Sequence, residues 1–253
     1  MRKLFISGNW KMNKNFNEGN NLMRDIDQYA EKKDKIDIAI FPPNLYLKYF
    51  HENYKNITVG SQNLYFKNSG AYTGEISPSM LKSIGINWTI IGHSERRTIF
   101  GETPDIIKKK IDFSLENDFN PVVCIGENID QREKSMELDV IKMQVKNIYY
   151  KLQRKDAQNI ILAYEPLWAI GTGKTASPED ADKIHGQIRK EIKKIYDEEF
   201  SSQLRILYGG SVKPHNAQEL LSKKNIDGAL IGGASLKSDS FLKICDIAGK
   251  IMG

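Results

Sequence analysis

Cysteine is scarce in this sequence, and long apolar runs are missing from it. Two cysteines, Cys124 and Cys245, are too few for a disulfide framework, and no Cys/His cluster has the spacing of a zinc site. No apolar run approaches the roughly 20 residues that cross a bilayer, and Met1–Leu4 leads straight into a strand-like run without a signal-peptide cleavage site. We therefore expect a cytoplasmic protein in a reducing compartment, with no metal and no membrane association.

Excess charge and compositional bias are also lacking. Lys and Arg number 37 against 32 Asp and Glu, a net charge of +5, and 19 of the 253 residues are glycine. These figures exclude collagen, low-complexity disorder and coiled coils. The basic residues are interleaved with acidic ones, so a nucleic-acid partner is not expected. Without a linker or a shift in composition, residues 1–253 are expected to form a single domain.

Short apolar, β-branched runs recur along the whole chain. Their eight starting points span 224 residues, a mean spacing of 32, which suits one βαβ unit for each repeat. The runs are continuously apolar instead of alternating, which is typical of parallel strands buried on both faces. They begin near Leu4, Ile36, Ile57, Trp88, Pro121, Ile160, Leu204 and Gly228.

Amphipathic stretches separate these runs and predict helices. The spacing favours an α/β fold, a (β/α)8 barrel of the TIM-barrel type with eight parallel strands ringed by helices. An open, doubly wound sheet is the alternative. Ser177 is the expected N-cap of one helix, with Pro178 at its first position. The helices are predicted over residues 18–32, 105–117, 129–152, 178–199, 214–222 and 236–247.

A barrel places its chemistry at the carboxyl ends of several strands, and polar side chains occur there. Asn9 and Lys11 follow the first run, and two-residue spacing can point both the same way. His93 follows the fourth run and precedes a charged segment, where a helix N-terminus would keep its imidazole neutral. Glu165 follows the apolar sixth run, where burial would make it a stronger base. The ordinary alternatives are a surface lysine, a structural histidine and an ion-paired glutamate.

The remaining histidines, His51, His185 and His215, lie in helix or loop contexts and are expected at the surface. Residues 166–176 mix large apolar side chains with glycine, a composition that suggests a lid. Gly173-Lys174-Thr175 resembles the end of a P-loop, but Trp168 stands where that motif needs glycine. The spacing of Gly171, Gly173 and Ala176 also matches a dinucleotide-binding fingerprint. That fingerprint belongs in the tight turn directly after a strand, and this match lies farther on, so no nucleotide cofactor is expected.

Paired glycines follow the seventh and eighth runs. Gly209-Gly210 and Gly232-Gly233 would expose backbone N–H groups near helix N-termini. In a (β/α)8 barrel these two loops often bind phosphate, although tight turns alone could explain them. Together with the carboxylate, the neutral histidine and the lysine, they favour an enzyme that abstracts a proton next to a carbonyl in a small phosphorylated molecule, without a cofactor.

Segments along the whole chain resemble one family, the triosephosphate isomerases. That resemblance implies conversion between dihydroxyacetone phosphate and D-glyceraldehyde 3-phosphate through an enediolate, in glycolysis and gluconeogenesis. The segments are GNWKMN from Gly8, SQN from Ser61, GAYTGE from Gly70, IGHSERR from Ile91, FGE from Phe100, PVVCIGE from Pro121, AYEPLWAIGTGKTA from Ala163, YGGSV from Tyr208 and IGGASL from Ile231.

The resemblance also implies a role for individual residues. Glu165 would be the base, and neutral His93 would polarise the carbonyl and move protons between the two oxygens; this family is a standard example of that chemistry. Lys11 and Asn9 would stabilise the negative charge, with Glu95 beside them. Backbone N–H groups would bind the phosphate at Gly171, Ser211, Gly232 and Gly233.

A lid and a homodimer are implied in the same way. Tyr208 and Ser211 would hold the closed lid, and Glu127 would meet Trp168. A loop after the third strand would enter the partner subunit, using Asn63, Tyr72, Thr73, Glu75 and Arg96, although its aromatic residues could instead pack within one chain. The lid would comprise Pro166, Leu167, Trp168, Ala169, Ile170, Gly171, Thr172, Gly173, Lys174, Thr175 and Ala176.

Two other functions are compatible with such a barrel. An aldolase would need a Schiff-base lysine inside the barrel on a later strand, and none of the later runs contains one. A non-enzymatic binding protein on the same scaffold would not need Glu165 and His93 together. These alternatives make different predictions for substitution of Glu165.

Overall fold

The computed structural model describes residues 2–169 and 176–253. Its strands form a parallel sheet in the order β3-β2-β1-β8-β7-β6-β5-β4. A bridge between Ser61 and Thr89 joins the two end strands, so the sheet closes into a barrel. The strands are Phe5–Asn9 (β1), Asp37–Phe41 (β2), Thr58–Val59 (β3), Trp88–Ile91 (β4), Asn120–Ile125 (β5), Ile161–Tyr164 (β6), Ile206–Tyr208 (β7) and Gly228–Ile231 (β8).

Helices surround this barrel. Several begin at caps that the sequence provides: Asn15 and Glu18 form a capping box at α1, and prolines follow the capping Ser77, Thr103 and Ser177. The helices are Phe16–Ala30 (α1), Leu47–Asn53 (α2), Pro78–Ser83 (α3), Ser94–Thr98 (α4), Pro104–Glu116 (α5), Ile129–Glu133 (α6), Glu137–Tyr149 (α7), Arg154–Ala157 (α8), Pro178–Ile195 (α9), Glu198–Gln203 (α10), Ala217–Leu221 (α11) and Ser238–Ile251 (α12).

The barrel prediction is confirmed: each predicted run coincides with a strand, and β5 begins one residue before its run. The single helix predicted over 129–152 is wrong: it is broken between α6 and α7, where Ser135 adopts a left-handed φ of 55°. The helix predicted to reach residue 199 ends at Ile195, because Asp197 caps a new helix through Phe200 N–H. The helix predicted from 214 begins only at Ala217.

Two hydrophobic layers hold the barrel together. The inner layer fills the barrel and includes Phe5, Phe41, Val122 and Leu207, while a larger outer layer lies between the strands and the helices. Strands covered on both faces explain why the runs are continuously apolar. Within the two described ranges, no helix is long and apolar enough to cross a membrane.

Candidate active site

The side chains of Glu165 and His93 meet at the carboxyl ends of β6 and β4. Glu165 is the first residue after β6, which ends at Tyr164. Its backbone N–H donates to Ile125 O at 2.7 Å, so it still pairs with the end of β5. Its Oε1 lies 3.1 Å from His93 Nε2, and its Oε2 accepts a hydrogen bond from Ser94 N–H at 3.0 Å. Glu165 is 2% exposed and His93 is 6% exposed. The carboxylate and the imidazole therefore share one buried site.

A hydrogen bond to His93 assigns the tautomer of its neutral ring. His93 is the N-cap of α4, and its Nδ1 accepts from Glu95 N–H at 3.2 Å. A ring nitrogen that accepts a hydrogen bond carries no proton, so the neutral ring carries its proton on Nε2, towards Glu165.

Lys11 reaches the site through a left-handed turn. β1 ends at Asn9, and Lys11 has a φ of 52°. Both side chains line the same cavity, as predicted, but the turn and not strand alternation brings Lys11 there. The Lys11 N–H donates to Asn9 Oδ1 at 3.0 Å, and Gln62 Nε2 donates to Lys11 O at 2.8 Å. Lys11 Nζ lies 2.6 Å from Glu95 Oε1. Glu95 thus holds the lysine beside the histidine, with its carboxylate on Lys11 and its backbone N–H on His93.

These side chains line a cavity of about 770 Å³, together with the loops that follow β7 and β8. Ser211, Gly232 and Gly233 border it, and their backbone N–H groups donate to no acceptor in the part of the chain that the structure describes. A Cβ on Gly232 would lie 3.8 Å from Lys11 Nζ. Free N–H groups beside a lysine form an anion-binding surface.

The Gly209-Gly210 pair also makes room for two functional side chains. A Cβ on Gly209 would lie 2.7 Å from Cγ of Glu165, and one on Gly210 would lie 2.2 Å from the hydroxyl of Tyr208. Sequence reasoning assigned these glycines only to backbone exposure. Their packing against Glu165 and Tyr208 depends on the neighbouring strands, so no sequence signal could reveal it.

The predicted contact between Glu127 and Trp168 is present. Glu127 Oε1 accepts hydrogen bonds from Trp168 Nε1 at 2.8 Å and from Tyr164 OH at 3.0 Å. The Leu167 N–H donates to Glu127 O at 3.1 Å. The Arg132 guanidinium lies over the Trp168 ring, 5.4 Å from its centroid. Burial raises the pKa of Glu127. This buried cluster fixes the first residues of the predicted lid.

Part of the predicted lid lies outside the described residues: Ile170, Gly171, Thr172, Gly173, Lys174 and Thr175. Pro166 and the short helical turn Leu167–Ala169 precede the gap, and Ala176 follows it. Burial raises the pKa of Tyr208 to about 12, and the backbone of Ala176 opposes that rise. Tyr208 therefore lies beside the end of the predicted lid, and Ser211 borders the cavity.

The loop predicted to form the dimer interface is partly packed on itself. The Tyr65 ring lies 4.4 Å from that of Phe66 and 4.7 Å from that of Tyr72, so the intramolecular cluster exists, yet Tyr72 is still 40% exposed. Thr73 and Glu75 are exposed.

Arg96 and Asn63 take part in a buried polar cluster of the same chain. Arg96 Nε contacts Glu102 Oε1, and Lys110 Nζ lies 2.5 Å from that oxygen and 2.6 Å from Asn63 Oδ1. Burial lowers the pKa of Lys110, and the Glu102 carboxylate opposes that effect. Asn63 and Arg96 therefore have partners within this subunit.

Sequence reasoning missed three cations near the site. Arg97 Nη2 donates to Cys124 O at 2.8 Å and its Nε donates to Gly92 O at 2.7 Å. Lys213 and Lys237 line the mouth of the cavity and form no ion pair within the described ranges. Lys213, two residues after Ser211, and Lys237, just before α12, could have been found from their positions. Their unpaired charge favours an anionic ligand.

The prediction that His185 lies at the surface is wrong. His185 is fully buried on the inner side of α9, and its ring lies 5.8 Å from that of Tyr164 and 6.4 Å from that of Tyr208. Burial lowers its pKa to about 3. His51 is half-buried, whereas His215 is exposed as predicted.

This geometry defines a class of protein: a (β/α)8-barrel enzyme with a carboxylate, an imidazole and a lysine around an anion-binding cavity. The family model described as triosephosphate isomerase matches residues 4–248. The chain therefore belongs to the triosephosphate isomerase family, and it is an isomerase.

Curated relatives agree with this family. A triosephosphate isomerase of Finegoldia magna is 45% identical over 247 residues, which cover 96% of this chain and 98% of the relative. That of Carboxydothermus hydrogenoformans is 44% identical, with the same coverage. That of Rhodopirellula baltica is 44% identical over 98% of both chains.

Proposed function

We propose how this isomerase interconverts dihydroxyacetone phosphate and D-glyceraldehyde 3-phosphate. The observation that carries the mechanism is the 3.1 Å separation of Glu165 Oε1 and His93 Nε2, which places a base and a hydrogen-bond donor within reach of one small substrate. Glu165 takes a proton from the carbon next to the carbonyl. The electron pair of that C–H bond forms the enediolate double bond, and the carbonyl electrons move to oxygen. Return of the proton to the neighbouring carbon gives the isomer.

The neutral imidazole and the lysine stabilise the charge that develops on oxygen. His93 donates its Nε2 proton towards the substrate oxygens and can pass it from one to the other. Lys11 supplies a positive charge, and Asn9 supplies an amide at the end of β1. Glu95 positions both, since it contacts Lys11 Nζ at 2.6 Å and donates its N–H to His93. Charge arranged in advance in this way lowers the barrier without reorganisation.

The substrate phosphate would bind at the other end of the cavity. The N–H groups of Ser211, Gly232 and Gly233 support this placement, since they donate to no acceptor among the described residues, and Gly171 would add a fourth. In water the enediolate would expel its phosphate, so closure of residues 166–176, held by Tyr208 and Ser211, would protect it. Identical hydrogen–deuterium exchange across 167–174 with and without a phosphate ligand would contradict this closure.

A homodimer formed through the loop after β3 is the proposed assembly. Exposed apolar side chains support it, because Met12 is 95% and Phe100 65% exposed beside this loop. Phe100 and Glu75 also border a second cavity of about 290 Å³ that reaches Lys11 and His93, where the Thr73 of a partner copy could enter. Glu75 would then pair with Arg96 of the other copy. Sedimentation that finds an active monomer would refute this assembly.

The pathway and compartment proposed for the enzyme are glycolysis and gluconeogenesis in the cytoplasm. Its partner molecules would be the triose phosphate substrate and a second copy of the chain. No nucleic acid, membrane, metal or other cofactor is part of the proposal.

The test is a coupled isomerase assay of the purified chain and of Glu165→Asp. Shortening the base by one methylene should cost about a hundredfold or more in kcat, because misplacement by about 1 Å has that effect. Glu219→Asp makes the same change on the exposed side of α11 and should have no effect. Full turnover by Glu165→Asp would favour a binding protein, and a substrate adduct trapped by borohydride would favour an aldolase.

A further inference from the structure

The backbone at the carboxyl end of β5 continues past its neighbour on one side. β4 ends at Ile91, which pairs with Val123, whereas β5 runs on to Ile125. On the β6 side the pairing continues, since Glu165 N–H donates to Ile125 O at 2.7 Å and the next such bond, from residue 167 to residue 127, measures 3.1 Å. On the β4 side, the carbonyl of Cys124 and both backbone groups of Gly126 lie beyond the end of the neighbouring strand.

Two side chains replace the missing strand. Arg97 binds the carbonyl of Cys124 at 2.8 Å. Gln144, from α7, takes both groups of Gly126: its Nε2 donates to Gly126 O at 3.0 Å, and its Oε1 accepts from Gly126 N–H at 2.9 Å. This side chain therefore supplies the one donor and the one acceptor that a longer neighbouring strand would provide. The half-buried Gln144 amide therefore holds Gly126 at the rim of the barrel, although the two residues are 18 positions apart in the sequence.

The residue that Gln144 holds lies against the catalytic base. A Cβ on Gly126 would lie 1.7 Å from the carbonyl oxygen of Glu165 and 2.7 Å from its carbonyl carbon, so the two backbones are in close contact. The next residue, Glu127, accepts the hydrogen bonds of Tyr164 and Trp168. A displacement of Gly126 would therefore move both the base and the start of the lid.

We propose that Gln144 is a positioning residue for the isomerase reaction. Its amide sets the position of Gly126, and through it the position of the Glu165 backbone. Only a side chain with one donor and one acceptor in this geometry satisfies both backbone groups, which makes the amide specific. The inference rests on the proposed role of Glu165 as the base.

The experiment compares Gln144→Glu with Gln144→Leu. At neutral pH the introduced carboxylate still accepts from Gly126 N–H, but its second oxygen opposes Gly126 O and cannot donate. We expect kcat to fall about tenfold with KM little changed. Below about pH 5 the carboxyl becomes protonated, since a glutamic acid titrates near 4.3 and the facing carbonyl favours its protonated form. Gln144→Glu should then recover relative to wild type, whereas Gln144→Leu should not.

Gln131→Glu is the matched control. Gln131 lies on the neighbouring helix α6, and its Oε1 only accepts, from Asn128 N–H at 3.0 Å, so a carboxylate preserves its hydrogen bond. This variant carries the same change in charge and should keep the wild-type kcat at every pH. Each kcat is measured at least 15 °C below the melting temperature of the variant, so that loss of folded protein does not contribute.

The outcomes separate this proposal from the function itself. If Glu165→Asp keeps full turnover, the role of the base is wrong. If Glu165→Asp loses turnover while Gln144→Glu and Gln144→Leu keep wild-type kcat, the positioning role alone is overturned. A loss in Gln144→Glu that does not recover at low pH also overturns it, because a protonated carboxyl can restore the hydrogen-bond pair. Recovery with the control unchanged supports it, even if Gln144→Leu fails to fold.

Discussion

The Nε2 of His93 lies 3.1 Å from Oε1 of Glu165, and the opposite ring nitrogen accepts a hydrogen bond from the backbone N–H of Glu95. The first turn of α4 therefore orients the imidazole proton towards the base. Because one backbone N–H dictates which nitrogen of the neutral ring is protonated, the tautomer follows from the local fold at the end of β4.

Replacing His93 should test this arrangement directly. His93→Gln keeps a polar side chain but loses the second ring nitrogen that the Glu95 N–H orients. We expect kcat to fall by about 10²–10⁴, the usual contribution of a positioned proton donor, with a smaller change in KM. His51→Gln, a half-buried position on α2 outside the cavity, is the control. Steady-state kinetics of both variants would contradict the assignment if His93→Gln kept more than a third of the wild-type turnover.

Gly209 should be unable to accept a methyl group without loss of activity. Its added Cβ would lie 2.7 Å from Cγ of Glu165, so the carboxylate must shift in Gly209→Ala. A shift approaching 1 Å costs about a hundredfold, and it should appear in kcat. Gly249→Ala, where an added Cβ meets nothing within 4 Å, should keep wild-type kinetics. Wild-type kcat in Gly209→Ala would show that the base tolerates displacement.

Much of the fold could be predicted from the periodicity of the chain. Eight buried strands at a mean spacing of 32 residues leave few arrangements other than a closed barrel. The breaks in the helices were less accessible, because a left-handed residue such as Ser135 has no strong signal in its own side chain. The short helices α2, α3 and α4 also lack the length at which an apolar period becomes visible.

The strand ends in the sequence predicted where the site lies, but they did not predict the hydrogen bonds that position its residues. Glu165 and His93 stood out because each interrupts or follows an apolar run, and the geometry brings them within 3.1 Å. Gln144 and Arg97 could not be found in this way, since their hydrogen bonds join backbone groups far away in sequence. The burial of His185 could have been predicted, because helical spacing places it on the same face of α9 as Ala181 and Ile188; the expectation followed its polar side chain instead of this period.

Glu127 should be replaceable by an amide more readily than by a hydrocarbon. Its Oε1 is the acceptor for Tyr164 OH and Trp168 Nε1. Glu127→Leu removes that acceptor, and the loss of the acceptor of the buried Tyr164 hydroxyl alone costs roughly 1–3 kcal/mol. Glu127→Gln keeps an acceptor and should be destabilised by less than half as much. Urea denaturation would measure both, with Glu133→Gln, an exposed carboxylate on α6, as the charge control.

Equal losses of stability in Glu127→Leu and Glu127→Gln would contradict this role for the oxygen. Tryptophan fluorescence adds a second measurement, since loss of the indole hydrogen bond should change the emission of Trp168 in Glu127→Leu but not in Glu127→Gln.

His185 should make the protein less stable in acid. Burial lowers its pKa to about 3, from an ordinary 6.5 in the unfolded chain. Between these two values the unfolded chain binds a proton that the native state does not, so the free energy of unfolding falls as pH decreases. This loss of stability is absent above about pH 6.5 and grows as the pH falls towards 3, with a maximal slope of roughly 1.4 kcal/mol per pH unit.

The variant His185→Asn removes this titration while keeping a side-chain donor near Asn225 O, which lies 3.3 Å from His185 Nδ1. Its absolute stability should be lower, because an asparagine fills less of the space between Tyr164 and Tyr208. The informative quantity is the slope of unfolding free energy against pH from 6.5 to 4, measured in urea. That slope should be shallower in His185→Asn and unchanged in His215→Asn, where the histidine is exposed. Parallel curves for wild type and His185→Asn would mean that the buried imidazole is not a source of acid sensitivity.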